Sequence, residues 1–212
     1  MGPEPLSALR IRTIIRQNSR SSTRKVGYVY MREFEGRLWA TDLYFCVEAE
    51  RLRPAWQKDG LDLAPGDYRV DGHVAVADPA EVGCPHVPIA EMMTWHTVHD
   101  YVGSVPWSYA GRHPFFFHRP SVEDTLVYFQ PDLQPETNPF PRPFGVRYDQ
   151  IELIAGQDWE ESFQDGVLLF AIRAWDPHVG PVGIYRVDST HDKETGLDPV
   201  QVTWGLAAPV KL

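Results

Sequence analysis

From residue 25 onward, apolar and polar positions alternate in short runs bounded by Gly, Pro and polar clusters. That pattern predicts strands separated by tight turns. The clearest pair is 25–34 with 37–47, around Glu35-Gly36, where glycine supplies the positive φ that a two-residue turn requires. Pairing Phe34 with Arg37 sets Tyr30 opposite Thr41, Tyr28 opposite Leu43 and Val26 opposite Phe45. Both faces of this hairpin are then largely apolar, so it should be covered on both sides and lie centrally in its sheet.

Residues 62–77 predict a second hairpin turning at Pro65-Gly66, with Tyr68, Val70, Val74 and Val76 on one face and Arg69, Asp71 and His73 on the other. Residues 88–102 predict a helix: Pro88 suits its start, Glu91 its first turn, and Ile89, Met92, Met93 and His96 share a stripe. Short strands are expected at 115–117 and 125–130, followed by a proline-rich loop over 131–144. A closing meander is expected from 146–155, 167–175, 181–188 and 200–206. Residues 9–16 alternate Leu9, Ile11, Thr13 and Ile15 with Arg10 and Arg12, a strand pattern, while Leu6, Leu9 and Ile14 keep a helix open. No internal repeat is evident.

The fold class expected is therefore mainly β: an antiparallel barrel or sandwich of about eight to nine strands with one or two short helices. The alternative is α+β. A chain of 212 residues with 43% hydrophobic content suits one such domain over 25–212. Residues 1–24 then form a basic N-terminal arm or first strand. No apolar run approaches the roughly 20 residues of a membrane span, and no leader pattern is visible at the start. With only Cys46 and Cys84, a reducing, cytoplasmic setting is expected.

Charge changes the picture at one end. The chain carries −9 overall, yet residues 1–37 hold eight basic side chains against three acids, or +5, leaving −14 for the rest. The acidic body disfavours general nucleic-acid binding. Residues 10–25 are the exception, with six basic residues and no acid, and they could neutralise a phosphate backbone. The plainer reading folds the arm against the acidic body or against a second protomer.

Candidate chemistry comes from acids and imidazoles whose spacing lets them converge. Glu91, His96, His99 and Asp100 fall within one predicted helix, where His96 and Asp100 are four apart. A carboxylate-oriented His is a general base. The same set is half of a two-His, one-carboxylate metal site, but zincin spacing is missing and no metal is assigned. Asp71 and His73 are two apart on one strand face. Asp42 falls inside a strand otherwise apolar on both faces, so it needs a partner or a raised pKa. An Arg–Asp pair is the structural alternative. Tyr28, Tyr30, Trp39, Arg69 and Trp95 would line an aromatic ligand pocket, although such residues are more often core. Serine-hydrolase, nucleotide-loop, dinucleotide and paired-cysteine zinc signatures are all missing, and no cofactor is assigned.

Three readings follow. The first is an enzyme turning over a small organic molecule by carboxylate–histidine acid–base chemistry, of cyclisation, isomerisation or lyase type. The second is a non-enzymatic interaction protein, inhibitor, immunity or assembly factor. The third is a nucleic-acid-contacting accessory protein using the basic arm. Homo-oligomer formation is compatible with each, and no membrane partner is expected.

Overall fold

In the computed structural model, the described residues are 6–18, 27–71, 73–76, 89, 104–106, 126–129, 144–157, 159, 168–171, 182–187, 201–208 and 210–211. They belong to two compact units, Glu4–His99 and Asp100–Leu212. Among the described residues the architecture mixes antiparallel strands with three α-helices, so the expected antiparallel sheet is present, with more helix than the mainly β reading allowed.

The first unit opens with helix α1 (Ala8–Asn18). Ser7 starts it: the Ser7 hydroxyl accepts the Arg10 amide at 3.2 Å and its carbonyl accepts the Ile11 amide at 3.1 Å. Both periodicities are present in 9–16, and packing decides between them. Ile11, Ile14 and Ile15 at i, i+3 and i+4 are fully buried, whereas Leu9, inward in the strand reading, is 69% exposed. Arg12, outward in the strand reading, points inward instead and is 7% exposed. Its guanidinium pairs with Asp59 and donates to the Ala55 carbonyl at 3.3 Å.

Strands β1 (Gly27–Phe34) and β2 (Arg37–Thr41) form the expected hairpin. Glu35 and Gly36 both have positive φ, 51° and 72°, the twist a two-residue hairpin turn demands. The register runs from Phe34↔Arg37 to Tyr30↔Thr41, as the turn chemistry predicts. There it stops. The chain reverses through Asp42–Tyr44, with Leu43 at φ 76°, into β3 (Phe45–Glu48), which pairs back onto β2. The expected Tyr28–Leu43 pairing does not form, and Val26, expected opposite Phe45, lies outside the described residues. The other half of β1 pairs instead with β4 (Gly66–Asp71), from Gly27↔Val70 to Met31↔Gly66.

A 3-10 turn (Ala49–Leu52) and helix α2 (Arg53–Lys58) connect β3 to β4. Pro54 fits the start of α2, where its missing amide hydrogen costs nothing. Strand β4 then pairs with β5 (His73–Val76) in the register Tyr68↔Val76, Val70↔Val74, Asp71↔His73. The hairpin therefore reverses between Asp71 and His73, not at Pro65-Gly66, which precedes β4. The strand order within this unit is β5-β4-β1-β2-β3. Its centre is β1, so the hairpin apolar on both faces is an interior element, with Val29, Met31 and Ala40 fully buried. Helix α1 lies against β1 and α2. The approach is close at Gly27, where a Cβ would stand 2.6 Å from Ile15 Cγ2 and 3.0 Å from the Ile15 carbonyl oxygen.

The second unit contains β6 (Ser104–Pro106), β7 (Leu126–Phe129), β8 (Phe144–Arg147), helix α3 (Tyr148–Ala155), β9 (Leu168–Ala171), β10 (Val182–Val187), β11 (Gln201–Ala207) and β12 (Val210–Lys211). In the order β11-β10-β9-β6, strands β9, β10 and β11 fall where 167–175, 181–188 and 200–206 are expected as strands. A smaller sheet has the order β12-β8-β7. The strand expected over 146–155 is mostly helix. Arg147 is still extended (φ −65°, ψ 130°), Asp149 occupies the first helical turn, and Gly156 at φ 105° ends α3 by donating to the Glu152 carbonyl at 2.9 Å.

One arrangement occurs twice. Each unit has a helix followed by three strands adjacent in both sequence and sheet: α1-β1-β2-β3 and α3-β9-β10-β11. Each also adds a further strand beside the first of the three, β4 against β1 and β6 against β9. Among the described residues no pairing closes β5 onto β3 or β6 onto β11, so neither sheet is a barrel by itself. The helix expected over 88–102 and the strand over 115–117 lie outside the described residues, apart from the buried Ile89.

Candidate functional site

Of the seven acid–base candidates, Glu91, His96, His99 and Asp100 lie outside the described residues, as does Trp95. Asp42 is not on a strand but in the β2–β3 reversal. Its Oδ1 accepts the amides of Tyr44 at 2.9 Å and Phe45 at 3.0 Å. That is a carboxylate satisfying the backbone of a tight turn, the local role Asp plays best. Thr41 reinforces it by accepting the Leu43 amide at 3.0 Å. Asp71 is exposed at the end of β4. It faces His73 across the hairpin reversal, not along one strand.

The ligand-pocket candidates separate in the same way. Tyr30 and Trp39 are 6% and 4% exposed and belong to the core. Tyr28 is half-buried and is the register partner of the exposed Arg69. The depression found in this unit is lined by Arg37, Leu38, Glu48, Ala49 and Glu50, so it is polar and not aromatic. Its charges are mutually engaged: Arg37 reaches Glu48 at 2.6 Å, and Glu50 takes both a 2.6 Å and a 2.5 Å bond from Arg53.

The buried acids are also committed. Asp59 holds Arg12, Asp67 holds Arg32 at 2.7 Å, and Asp149 holds Arg147 at 2.9 Å. Structural Arg–Asp pairs of the kind weighed for Asp42 thus exist at Asp59, Asp67 and Asp149. Among the described residues no cluster of His, Cys, Asp and Glu could hold a metal ion. No helix among them is long and apolar enough to cross a membrane.

Cys46 sits on β3, fully buried. Burial, and secondarily the Asp42 charge, pushes its thiol from an ordinary 9.0 up to about 12. The thiol therefore stays protonated in the fold where it would ionise in the unfolded chain. The sign follows: the folded state binds the extra proton between pH 9 and 12. Its stabilisation is complete below pH 9 and is lost as pH rises through that window. A thiol-directed reagent at pH 8 should accordingly leave Cys46 unlabelled in native protein and label it after denaturation. Labelling of Cys46 at equal rates in both states would contradict its enclosure.

What remains is the outward face of α1. At 3.6 residues per turn, the buried Ile11, Ile14 and Ile15 put Leu9 and Gln17 on the exposed side, with Arg10, Thr13 and Arg16 half-buried. Thr13 spends its hydroxyl on the Leu9 carbonyl at 2.9 Å. Arg10 and Arg16 flank this face, and the helix contains no acid. Of the three arginines on α1, Arg12 is the most buried, while Arg10 and Arg16 are half-buried and the Arg16 Nε is enclosed. The charge count locates the basic segment in the sequence. The division between Arg12 and its two neighbours needs the helical period, which the competing strand pattern obscures. Arg20, Arg24 and Lys25 lie outside the described residues.

Comparison of the chain with protein-family models, with curated proteins and with solved structures finds no match in any of the three.

Proposed function

We propose that the chain is a nucleic-acid-contacting accessory protein that binds through its basic N-terminal segment. One observation carries the reading. Helix α1, anchored by its isoleucine stripe, carries three arginines and no acidic side chain, in a protein of net charge −9. Gathering cations on one segment concentrates positive potential there while the rest of the surface repels phosphate. The neighbouring Arg20, Arg24 and Lys25 extend the same charge along the chain. This reading stands ahead of the acid–base enzyme because the Asp42 carboxylate is engaged in a turn and Asp71 is exposed.

Fluorescence anisotropy with a labelled oligonucleotide tests it. The wild-type chain should bind at low salt, and Arg10→Glu with Arg16→Glu should weaken binding about tenfold or more at fixed salt. Circular dichroism should show the double variant folded. Wild-type protein that ignores the oligonucleotide, or a folded double variant that binds it equally well, would remove the reading.

A further inference from the structure

We infer that the depression at the end of the β2–β3 ladder is a binding site for a small zwitterion of the α-amino-acid class, independent of the basic segment. The ladder ends at Trp39↔Glu48. Beyond that pair the chain leaves β3 for the 3-10 turn, so Arg37 and Leu38 keep register partners on β1 alone. The parting of the strands opens a space of about 430 Å³ lined by Arg37, Leu38, Glu48, Ala49 and Glu50. That volume lies in the range of small-molecule sites.

The charges around this space are of two kinds. Glu50 is closed off, because Arg53 donates to both of its oxygens, at 2.6 and 2.5 Å. Arg37 and Glu48 are joined by one bond only, from Arg37 Nη1 to Glu48 Oε1 at 2.6 Å. Arg37 Nε and Nη2 and Glu48 Oε2 have no further partner among the described residues. The Nε–Nη2 edge of a guanidinium is one that takes a carboxylate in two parallel bonds. The open Glu48 oxygen beside it accepts from an ammonium group. An α-amino acid carries both charges on a single carbon and so meets both groups at once, since these are themselves in contact. A lone anion would be opposed by Glu48, and a lone cation by Arg37. Arg37 and Arg53 offset Glu48 and Glu50, so no net field draws a simple ion here. Half-buried Leu38 and buried Ala49 supply apolar surface for a short side chain. The Arg37–Glu48 pair faces solvent and adds little to the fold, so a ligand shares it at small cost.

The experiment is a nuclear magnetic resonance titration of the full isotope-labelled chain with three probes: leucine, leucinamide, which lacks the carboxylate, and isocaproate, which lacks the ammonium group. Leucine should shift the Leu38 and Ala49 amides saturably, in the millimolar range that exposed charge contacts permit. Each analogue should bind about tenfold more weakly or worse, one charge-assisted contact being lost. Arg37→Gln and Glu48→Gln, with folding checked by circular dichroism, should each weaken leucine binding by a similar factor. Three results would overturn the assignment: leucine leaving both amides unmoved at tens of millimolar, either analogue binding as tightly as leucine, or a folded Arg37→Gln variant with unchanged affinity. None of them touches the nucleic-acid reading, because α1 takes no part in this site.

Discussion

Trp56→Ala is expected to lower the stability of the first unit by about 3–5 kcal/mol, as for other fully buried aromatic truncations. Trp56 lies in the middle of α2, is fully buried, and meets Tyr68 of β4 edge-to-face with ring centroids 5.3 Å apart and planes at 68°. Tyr68 is fixed at its far end, where its hydroxyl donates to the Ala64 carbonyl at 2.7 Å. A helix of six residues cannot sustain itself by propensity, so α2 must be held by what its side chains bury. Removing the indole takes away that anchor and leaves a cavity beside β4. Trp56→Phe keeps an aromatic edge and should cost roughly half as much. Urea unfolding followed by far-ultraviolet circular dichroism measures both. If the alanine variant lost under about 1 kcal/mol, the anchoring role assigned to Trp56 would be untenable.

What could be read in the sequence was set by short-range chemistry. Glu35-Gly36 fixes the β1–β2 turn because both residues must take positive φ there, and the register from Phe34↔Arg37 follows without tertiary information. The same logic fails at Asp42. Alternation runs on through 41–47 as though the strand continued, but Leu43 at φ 76° reverses the chain. A leucine is a poor advertisement for positive φ. The acid proposed as a buried catalytic group consequently becomes the residue that caps the reversal. Helix α1 was ambiguous for a different reason. Its strand and helix periodicities share Ile11 and Ile15, and Asp59, the partner that draws Arg12 inward, lies far along the chain. Helix α3 hides in an apolar run that either element could use, and its stop at Gly156 reads equally well as a loop. The repeated helix-plus-three-strand arrangement left no trace in the residues because topology recurs there and side-chain identity does not. The basic segment was legible from charge alone, and the face it presents was not.

Arg12→Ala is expected to cost the first unit nearly as much as Trp56→Ala, because Arg12 joins α1 to α2. The Arg12 guanidinium is 7% exposed, pairs with Asp59 and donates to the Ala55 carbonyl at 3.3 Å. It thereby ties α1 to α2 at Ala55 and at the C-cap residue Asp59. Deleting it strips a largely buried carboxylate of its cation, and breaking one side of a buried ion pair costs about 3–5 kcal/mol. Arg12→Met combined with Asp59→Leu removes both charges and should recover most of that loss, because desolvation of the pair no longer has to be offset. Arg10→Gln and Arg16→Gln, at the half-buried positions of the same helix, should each cost less than Arg12→Ala. Chemical denaturation of the four variants therefore yields one large loss, one recovery and two smaller changes. Equal stability of Arg12→Ala and the parent would mean that the pair does not hold α1 in place.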